Sequence, residues 1–187
     1  MVKTFRTQIS TRHISDVYTV MSTKTLHPIV LGVLQSFSIP HEVLECEPSL
    51  ADTALFCEHY GYSPEQSANC LLLGSSKGEP KFACCILLAH CRLDVNKVVR
   101  KKLGVRRLSF ANPELTKELT GMELGGVTPF GLPQDLPLWV DSRVMACKKI
   151  ILGGGNRSSK LLMPPCGLLK LPNVEVVEEL AFLQKTD

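Results

Sequence analysis

The sequence predicts a single domain of the α/β class, in which helices and strands contribute to one hydrophobic core. The length of 187 residues suits one domain with at most a short extension, and 44% apolar with 21% charged residues is usual for a globular protein. Some segments repeat apolar residues at helical spacing, whereas others are short apolar runs bounded by turn residues, as buried strands are. Because the N-terminus is polar and mixed in charge, we expect an extension over 1–22 and the domain over 23–187.

Helix-capping and turn residues divide the first half of the domain. Pro28 suits the first turn of a helix, and Gly61 suits the end of a helix that begins at Asp52 or Thr53. A turn-rich stretch, 74–80, separates two apolar runs that are typical of a hairpin of buried strands. The predicted elements are a helix over 22–37, a strand over 41–46, a helix over 52–59, a helix start at 63–66, and hairpin strands over 68–73 and 81–90.

The second half is predicted to begin with a basic helix that Asp94 caps. Six cations fall within the eleven residues 97–107, so this helix either contacts phosphate groups or presents an ordinary solvated face, and charge alone favours the solvated face. The remaining predicted elements are a strand over 108–111, a helix from 112 that Gly121 ends, strands over 136–140 and 149–152, and a closing helix over 174–183.

We expect the chain to be organised around a glycine-rich loop, residues 120–132, which contains four glycines and Pro129. Glycine adopts positive φ at little steric cost, and proline fixes its own φ. Such a loop can direct several backbone N–H groups at one point, where an anion or the oxyanion of a reacting ester would be stabilised. The composition fits equally well a tight connection between two strands.

Charge, hydropathy and cysteine content narrow the classes of function. A net charge of +3 gives no strong overall attraction to nucleic acid. The N-terminus lacks a signal-peptide core and no apolar run has the length of a membrane helix, so we expect a cytoplasmic protein. The eight cysteines have no CxxC pair and are expected to be reduced, mostly buried thiols without metal. The segment GGGNRSSK, residues 153–160, lacks the spacing of a nucleoside-triphosphate loop.

Several strings in register resemble the YbaK/ProX family of aminoacyl-tRNA editing domains, from about Leu31 to Phe182. The most specific string is TG followed by GGVTPFG, in which Gly125–Pro129 fits the family's GxxxP loop. The other strings are Leu136-Pro137, Val140-Asp141, the strand that ends at Gly153-Gly154-Gly155, and Leu93-Asp94 followed by the basic helix and Leu103-Gly104.

The resemblance implies a mixed β-sheet, curled into a partial barrel and surrounded by helices. It implies a trans-acting deacylase that hydrolyses the ester of mischarged tRNA without metal or organic cofactor, with the water activated by the substrate's own hydroxyl or amine. Its partners would be the acceptor end of an aminoacyl-tRNA, with prolyl and alanyl tRNAs as first targets, and an aminoacyl-tRNA synthetase. The implied catalytic residues are Gly125, Gly126, Val127, Thr128, Pro129 and Asn69, and the implied substrate-binding residues are Asp141, Gly153, Gly154, Gly155, Lys97, Arg100 and Lys101.

One position departs from the family's pattern. The resemblance implies a lysine just before the apolar strand CLLL, where this chain has Asn69. Asparagine forms hydrogen bonds but supplies no charge. Three outcomes are open: Asn69 positions the substrate alone, another cation such as Lys81 or Lys160 enters the pocket, or the chain is a catalytically silent module that binds a tRNA end or a protein.

Two other side chains have both a chemical and a structural interpretation. Cys70 is a candidate nucleophile, but a buried strand thiol is the more frequent situation when no base is evident. The Thr128 hydroxyl could contact the substrate amine or simply hold the turn.

Overall fold

The structure, a computed structural model, describes residues 25–75 and 77–184. The predicted N-terminal extension and the start of the first predicted helix lie outside the described residues. The helices are α1 (Pro28–Ser36), α2 (Thr53–Tyr60), α3 (Arg100–Leu103), α4 (Pro113–Thr120) and α5 (Ser142–Met145). The strands are β1 (Glu42–Glu45), β2 (Ala68–Ser75), β3 (Phe82–Leu88), β4 (Cys91–Leu93), β5 (Leu108–Phe110), β6 (Leu138–Asp141), β7 (Ile150–Gly153), β8 (Ser159–Met163), β9 (Val174–Val177) and β10 (Ala181–Leu183).

The helix boundaries follow the capping residues. The Asn112 side chain accepts a hydrogen bond from the Leu115 N–H at the start of α4. Gly61 and Gly121 adopt left-handed φ of 72° and 69° directly after α2 and α4, where a side chain would be strained. The basic helix begins after Asp94 with a π-helical turn, Val95–Val99, and continues into α3. These four predictions from capping signals are confirmed.

The strands form two main sheets. The larger has the order β5-β2-β3-β6-β9, with antiparallel pairs up to β3 and parallel pairs beyond it, and the smaller has the antiparallel order β1-β8-β7. Strands β4 and β10 form a separate antiparallel pair. The predicted mixed sheet surrounded by helices is confirmed, and it is not closed into a barrel.

A parallel bridge between Ser67 and Ile151 links β2 of the larger sheet to β7 of the smaller sheet. The Ile151 N–H donates to the Gln66 carbonyl at the same place. Beyond this bridge, β2 and β7 are not paired with each other in the described part of the chain. Instead, β7 pairs with β8, and β2 pairs with β3 and β5. The seam between the sheets therefore opens next to the first residues of β2.

Two predictions about the fold are wrong, and one of the two interpretations of the glycine-rich loop is excluded. Residues 63–66 form one turn that leads directly into β2, because the Gln66 and Ser67 N–H groups share the Ser63 carbonyl and the apolar run pairs with β3 instead. The closing helix over 174–183 is replaced by β9 and β10, since the valine-rich start pairs with β6. The glycine-rich loop joins helix α4 to β6, so it is not a connection between two strands.

Among the described residues, every helix is too short or too polar to cross a bilayer.

Candidate functional site

A cavity of about 350 Å³ occupies the open seam between β2 and β7. This volume falls within the range of small-ligand sites. The start of α2, the glycine-rich loop and one side chain of β8 complete its wall. The lining residues that matter for chemistry are Thr53, Asn69, Gly125, Val127, Gly153 and Lys160. The cavity therefore brings together the predicted loop, Asn69 and one of the two cations that the sequence suggested as a substitute.

The glycine-rich loop packs backbone against backbone on the turn that follows β7. A Cβ atom at Gly126 would lie 2.7 Å from the Asn156 Cα and closer still to the Asn156 carbonyl. A Cβ atom at Gly153 would lie 2.6 Å from the Val127 carbonyl oxygen. The Gly155 N–H donates to the Gly126 carbonyl at 2.8 Å. Glycine is required at these positions because the two segments leave no room for a side chain.

The amide groups of the loop differ in how they are used. The Gly126 N–H donates to the Glu123 carbonyl at 2.9 Å, so it is occupied by the loop's own turn. The Val127 N–H has no acceptor among the described residues, and Val127 lines the cavity. An amide beside a cavity without a protein acceptor is available to a ligand oxygen. Gly125, with φ of 87°, lies within this turn and also lines the cavity.

Lys160 is the cation inside the site. It lies on β8 opposite Gly153 and is only 5% exposed. Its Nζ donates to the Ala51 carbonyl at 2.5 Å and to the Gly125 carbonyl at 2.9 Å, and it lies 5.4 Å from the centre of the Phe56 ring. Burial lowers the pKa of this ammonium from its ordinary value.

Asn69 faces the cavity from β2 and is held by α2. The Thr53 hydroxyl donates to Asn69 Oδ1 at 2.6 Å. This bond occupies the acceptor side of the amide, so the Asn69 Nδ2 group remains as a donor for a ligand. Asn69 thus offers a ligand a directional hydrogen-bond donor but no charge.

Besides the cations of the basic helix, six predicted site residues do not line the cavity: Gly126, Thr128, Pro129, Asp141, Gly154 and Gly155. Thr128 is fully buried, and its hydroxyl has no partner among the described residues. Pro129 lines a separate apolar cavity of about 90 Å³. The Gly154 N–H donates to the Ser159 carbonyl.

Asp141 is buried at the start of α5, where it accepts hydrogen bonds from the Arg143 and Ala181 N–H groups. The structure thus gives it the role of capping α5 and holding β10, and any effect on a ligand would be indirect.

The basic helix covers the same face of the larger sheet as Asn69. Lys102 packs 5.2 Å from the Trp139 ring centre. In the strand register Trp139 is opposite Cys85, and Cys85 is opposite Leu71. Leu71 shares a face of the sheet with Asn69, because side chains two residues apart on a strand point the same way. Lys97 and Lys101 are exposed, and Arg100 is half-buried and donates to the Asn96 carbonyl. The helix therefore presents positive charge on the side of the sheet to which Asn69 belongs.

Two alternatives from the sequence find no support in the geometry. A hydrogen bond with Cys84 and burial raise the pKa of Cys70 well above its ordinary value, and Cys70 lies on the opposite face of β2 from Asn69, so it is a poor nucleophile. Lys81 is exposed at the tip of the hairpin, and in the register Asn69 is opposite Leu87, six residues or about 20 Å further along β3. Lys81 therefore cannot replace a charge at Asn69.

Sequence reasoning did not identify Thr53 or Arg157 as parts of the site. Arg157 donates to the Pro48 and Leu124 carbonyls at 2.9 and 2.8 Å and pairs with Asp52 at 3.6 Å. It thereby ties the glycine-rich loop to the segment before α2. The string GGGNR contains this arginine, but its contacts depend on two segments that are distant in the sequence. Only the structure shows them.

Comparisons with known proteins place the chain in a family. The family model of the aminoacyl-tRNA editing domain matches residues 47–171. The uncharacterized protein YwhH of Bacillus subtilis (strain 168) is 30% identical over 125 residues, which cover 67% of this chain and 77% of that protein.

Two solved structures share the fold. One is described as a candidate trans-editing enzyme for prolyl tRNA synthetase (TM-score 0.69, 24% identity, 86% of this chain and 99% of that one). The other is the hypothetical protein APE2540 (TM-score 0.70, 23% identity, 80% of this chain and 97% of that one). At these identities the likeness shows the fold alone. Because the family model covers most of the chain, the protein belongs to the aminoacyl-tRNA editing domain family, which the YbaK/ProX resemblance predicts.

Proposed function

We propose that this protein is a trans-acting deacylase that hydrolyses the ester of mischarged aminoacyl-tRNA in the cytoplasm. One observation carries the proposal: a single cavity is lined by Asn69, by Gly125 and Val127 of the glycine-rich loop, and by a buried ammonium. An ester carbonyl needs donors at the point where negative charge develops, and this cavity offers them. Membership of the editing family gives the proposal its substrate class.

In the proposed reaction, water adds to the ester carbonyl carbon and the carbonyl oxygen becomes an oxyanion. The Val127 N–H, which has no acceptor among the described residues, donates to that oxygen. The carbon–oxygen bond to the ribose then breaks, and the proton from the water passes to the ribose oxygen. The products are the free amino acid and a tRNA with a free terminal hydroxyl. No thiolate is required, which agrees with the raised pKa of Cys70.

The remaining residues of the site hold the substrate. The Asn69 amide donates to the acylated ribose, and Gly153 at the end of β7 forms the wall that the chain end follows. Three cations of the basic helix contact the tRNA backbone: the exposed Lys97 and Lys101 and the half-buried Arg100. An aminoacyl-tRNA synthetase is the expected protein partner. Misacylated prolyl and alanyl tRNAs are the first substrates to test, the prolyl case because of the similar structure described as a trans-editing enzyme.

The test is amino acid release from a panel of mischarged tRNAs. We expect release above the uncatalysed rate from at least one member. Val127→Pro removes the amide donor and is expected to lower kcat by about 100-fold or more. Val127→Ala keeps the N–H and is expected to lose far less, which separates the amide from the side chain. Circular dichroism establishes that both variants fold.

Failure to release any amino acid, with tRNA still retained on a filter, would contradict hydrolysis. Such a result would leave a catalytically silent tRNA-binding module, the alternative that the replacement of the family lysine by Asn69 suggests.

A further inference from the structure

Lys160 is a buried cation without a carboxylate partner among the described residues. Its Nζ has two acceptors, the main-chain carbonyls of Ala51 and Gly125. An ammonium has three N–H donors, so one remains unused. Lys160 also lines the cavity, so a ligand can reach it. A buried charge left without a counter-charge is costly, and such charges concentrate where a ligand or transition state supplies the missing one.

The charged and titratable groups around Lys160 do not supply the missing counter-charge. Asp52 also lines the cavity, but its side chain is 62% exposed and pairs with Arg157 instead. The thiols of Cys46 and Cys57 also face Lys160, and burial raises the pKa of Cys46, so that thiol stays neutral. Arg157 adds a second positive charge nearby. The corner of the cavity that contains Lys160 is therefore electropositive.

Lys160 lies beside the loop amide that the proposed reaction uses. Its Nζ is 2.9 Å from the Gly125 carbonyl oxygen, and Val127 follows Gly125 by two residues, a chain length of about 7 Å. The two carbonyl acceptors fix the ammonium in place, so it needs no reorganisation when charge develops. The geometry thus places a fixed positive charge and an available N–H in one corner.

We propose that Lys160 is a catalytic residue that donates its third N–H to the ester carbonyl oxygen and stabilises the oxyanion together with the Val127 amide. This inference rests on the proposed deacylase function and deepens it. It also explains how the site works without charge at Asn69, because the positive charge comes from β8 on the opposite side of the cavity. The step needs no other reactant, since the ammonium keeps its proton throughout.

The test measures kcat and KM on a mischarged tRNA that the wild type hydrolyses. Lys160→Met removes the charge and is expected to lower kcat by about 100-fold or more with KM changed less than threefold, because the charge acts on the transition state. Lys160→Gln keeps one donor without charge and is expected to lose nearly as much. Thermal melts identify any variant that fails to fold.

Two further readouts separate catalysis from a structural role. In the wild type, kcat falls as pH rises through the lowered pKa of Lys160, and this fall disappears in Lys160→Met. Adding Asn69→Lys to Lys160→Met returns a cation to the same cavity and is expected to regain at least tenfold in kcat. Asn69→Lys alone gives no gain, because the cavity already contains an ammonium and two like charges repel.

The outcomes separate the two claims. Release by the wild type with kcat unchanged in folded Lys160→Met, or with KM alone raised, would overturn the role of Lys160 and leave the deacylase intact. Release by neither protein would overturn both. A loss of kcat without the change in pH profile would assign Lys160 a structural role and also overturn the inference.

Discussion

Replacing Gly126 by alanine tests whether the contact between the glycine-rich loop and the turn after β7 sets the geometry of the site. The new Cβ would lie 2.7 Å from the Asn156 Cα and closer to the Asn156 carbonyl, and all of these are backbone atoms that no rotamer change can move. The loop must therefore shift by about 1 Å to reach ordinary contact distance. Such overpacking costs about 1–3 kcal/mol, which lowers Tm by about 2–12 °C in a protein of this size.

A shift of about 1 Å in a group that stabilises the transition state costs about 100-fold in rate. We therefore expect Gly126→Ala to lose about 100-fold in kcat/KM, measured as amino acid release from a mischarged tRNA. Gly121→Ala is the matched control. Its φ of 69° costs a side chain about 1–2 kcal/mol, but a Cβ there meets no atom within 4 Å among the described residues. Both variants lose similar stability, and only Gly126→Ala loses activity. Equal activities in the two folded variants would refute the reasoning.

Three other predictions follow from single contacts. Thr53→Val removes the hydrogen bond to Asn69, so we expect about 0.5–1.5 kcal/mol less stability in urea unfolding and a lower kcat/KM, whereas Thr53→Ser keeps both. The pKa of Lys160 is lowered from 10.5 in the folded state, so the unfolded state binds more protons at pH values between the folded and the unfolded pKa. The free energy of unfolding of the wild type relative to Lys160→Met is therefore expected to rise with pH up to 10.5. A pH-independent difference in urea unfolding would contradict this. We expect each neutral variant of a phosphate-contacting cation in the basic helix to lower the slope of log K for tRNA binding against log salt concentration by about one, measured by filter binding. The cations to test are Lys97, Arg100 and Lys101, and Lys81→Gln is expected to leave the slope unchanged.

Elements with local signals could be predicted from the sequence. The caps at Asn112 and Gly121 fix α4, and the turn cluster between two apolar runs fixes the β2–β3 hairpin. These signals lie within a few residues of the element that they determine. The predicted helix over 174–183 failed because Val174–Val177 gains its hydrogen bonds from β6, more than thirty residues earlier in the chain. Strand β8 went unpredicted: one partner, β7, directly precedes it, but the other, β1, lies more than a hundred residues earlier in the chain.

The site shows the same division between local and distant information. The GxxxP string predicted the loop, and Gly125 and Val127 do line the cavity. The sequence could not choose between Lys81 and Lys160, because both are lysines next to apolar strands. The choice depends on register: Lys160 is opposite Gly153, which has no side chain to cover it, whereas Lys81 lies at a hairpin tip. A lysine within an otherwise buried strand was the signal available in the sequence.

The most direct test of the central claim is a structure with a stable analogue of an acylated tRNA end, an adenosine whose 3′ oxygen is replaced by nitrogen to form an amide. We expect the carbonyl oxygen of the analogue within hydrogen-bond distance of the Val127 N–H and the Lys160 ammonium, and the ribose beside Asn69. An analogue bound elsewhere, or bound in the cavity with its carbonyl turned away from Val127, would contradict the account.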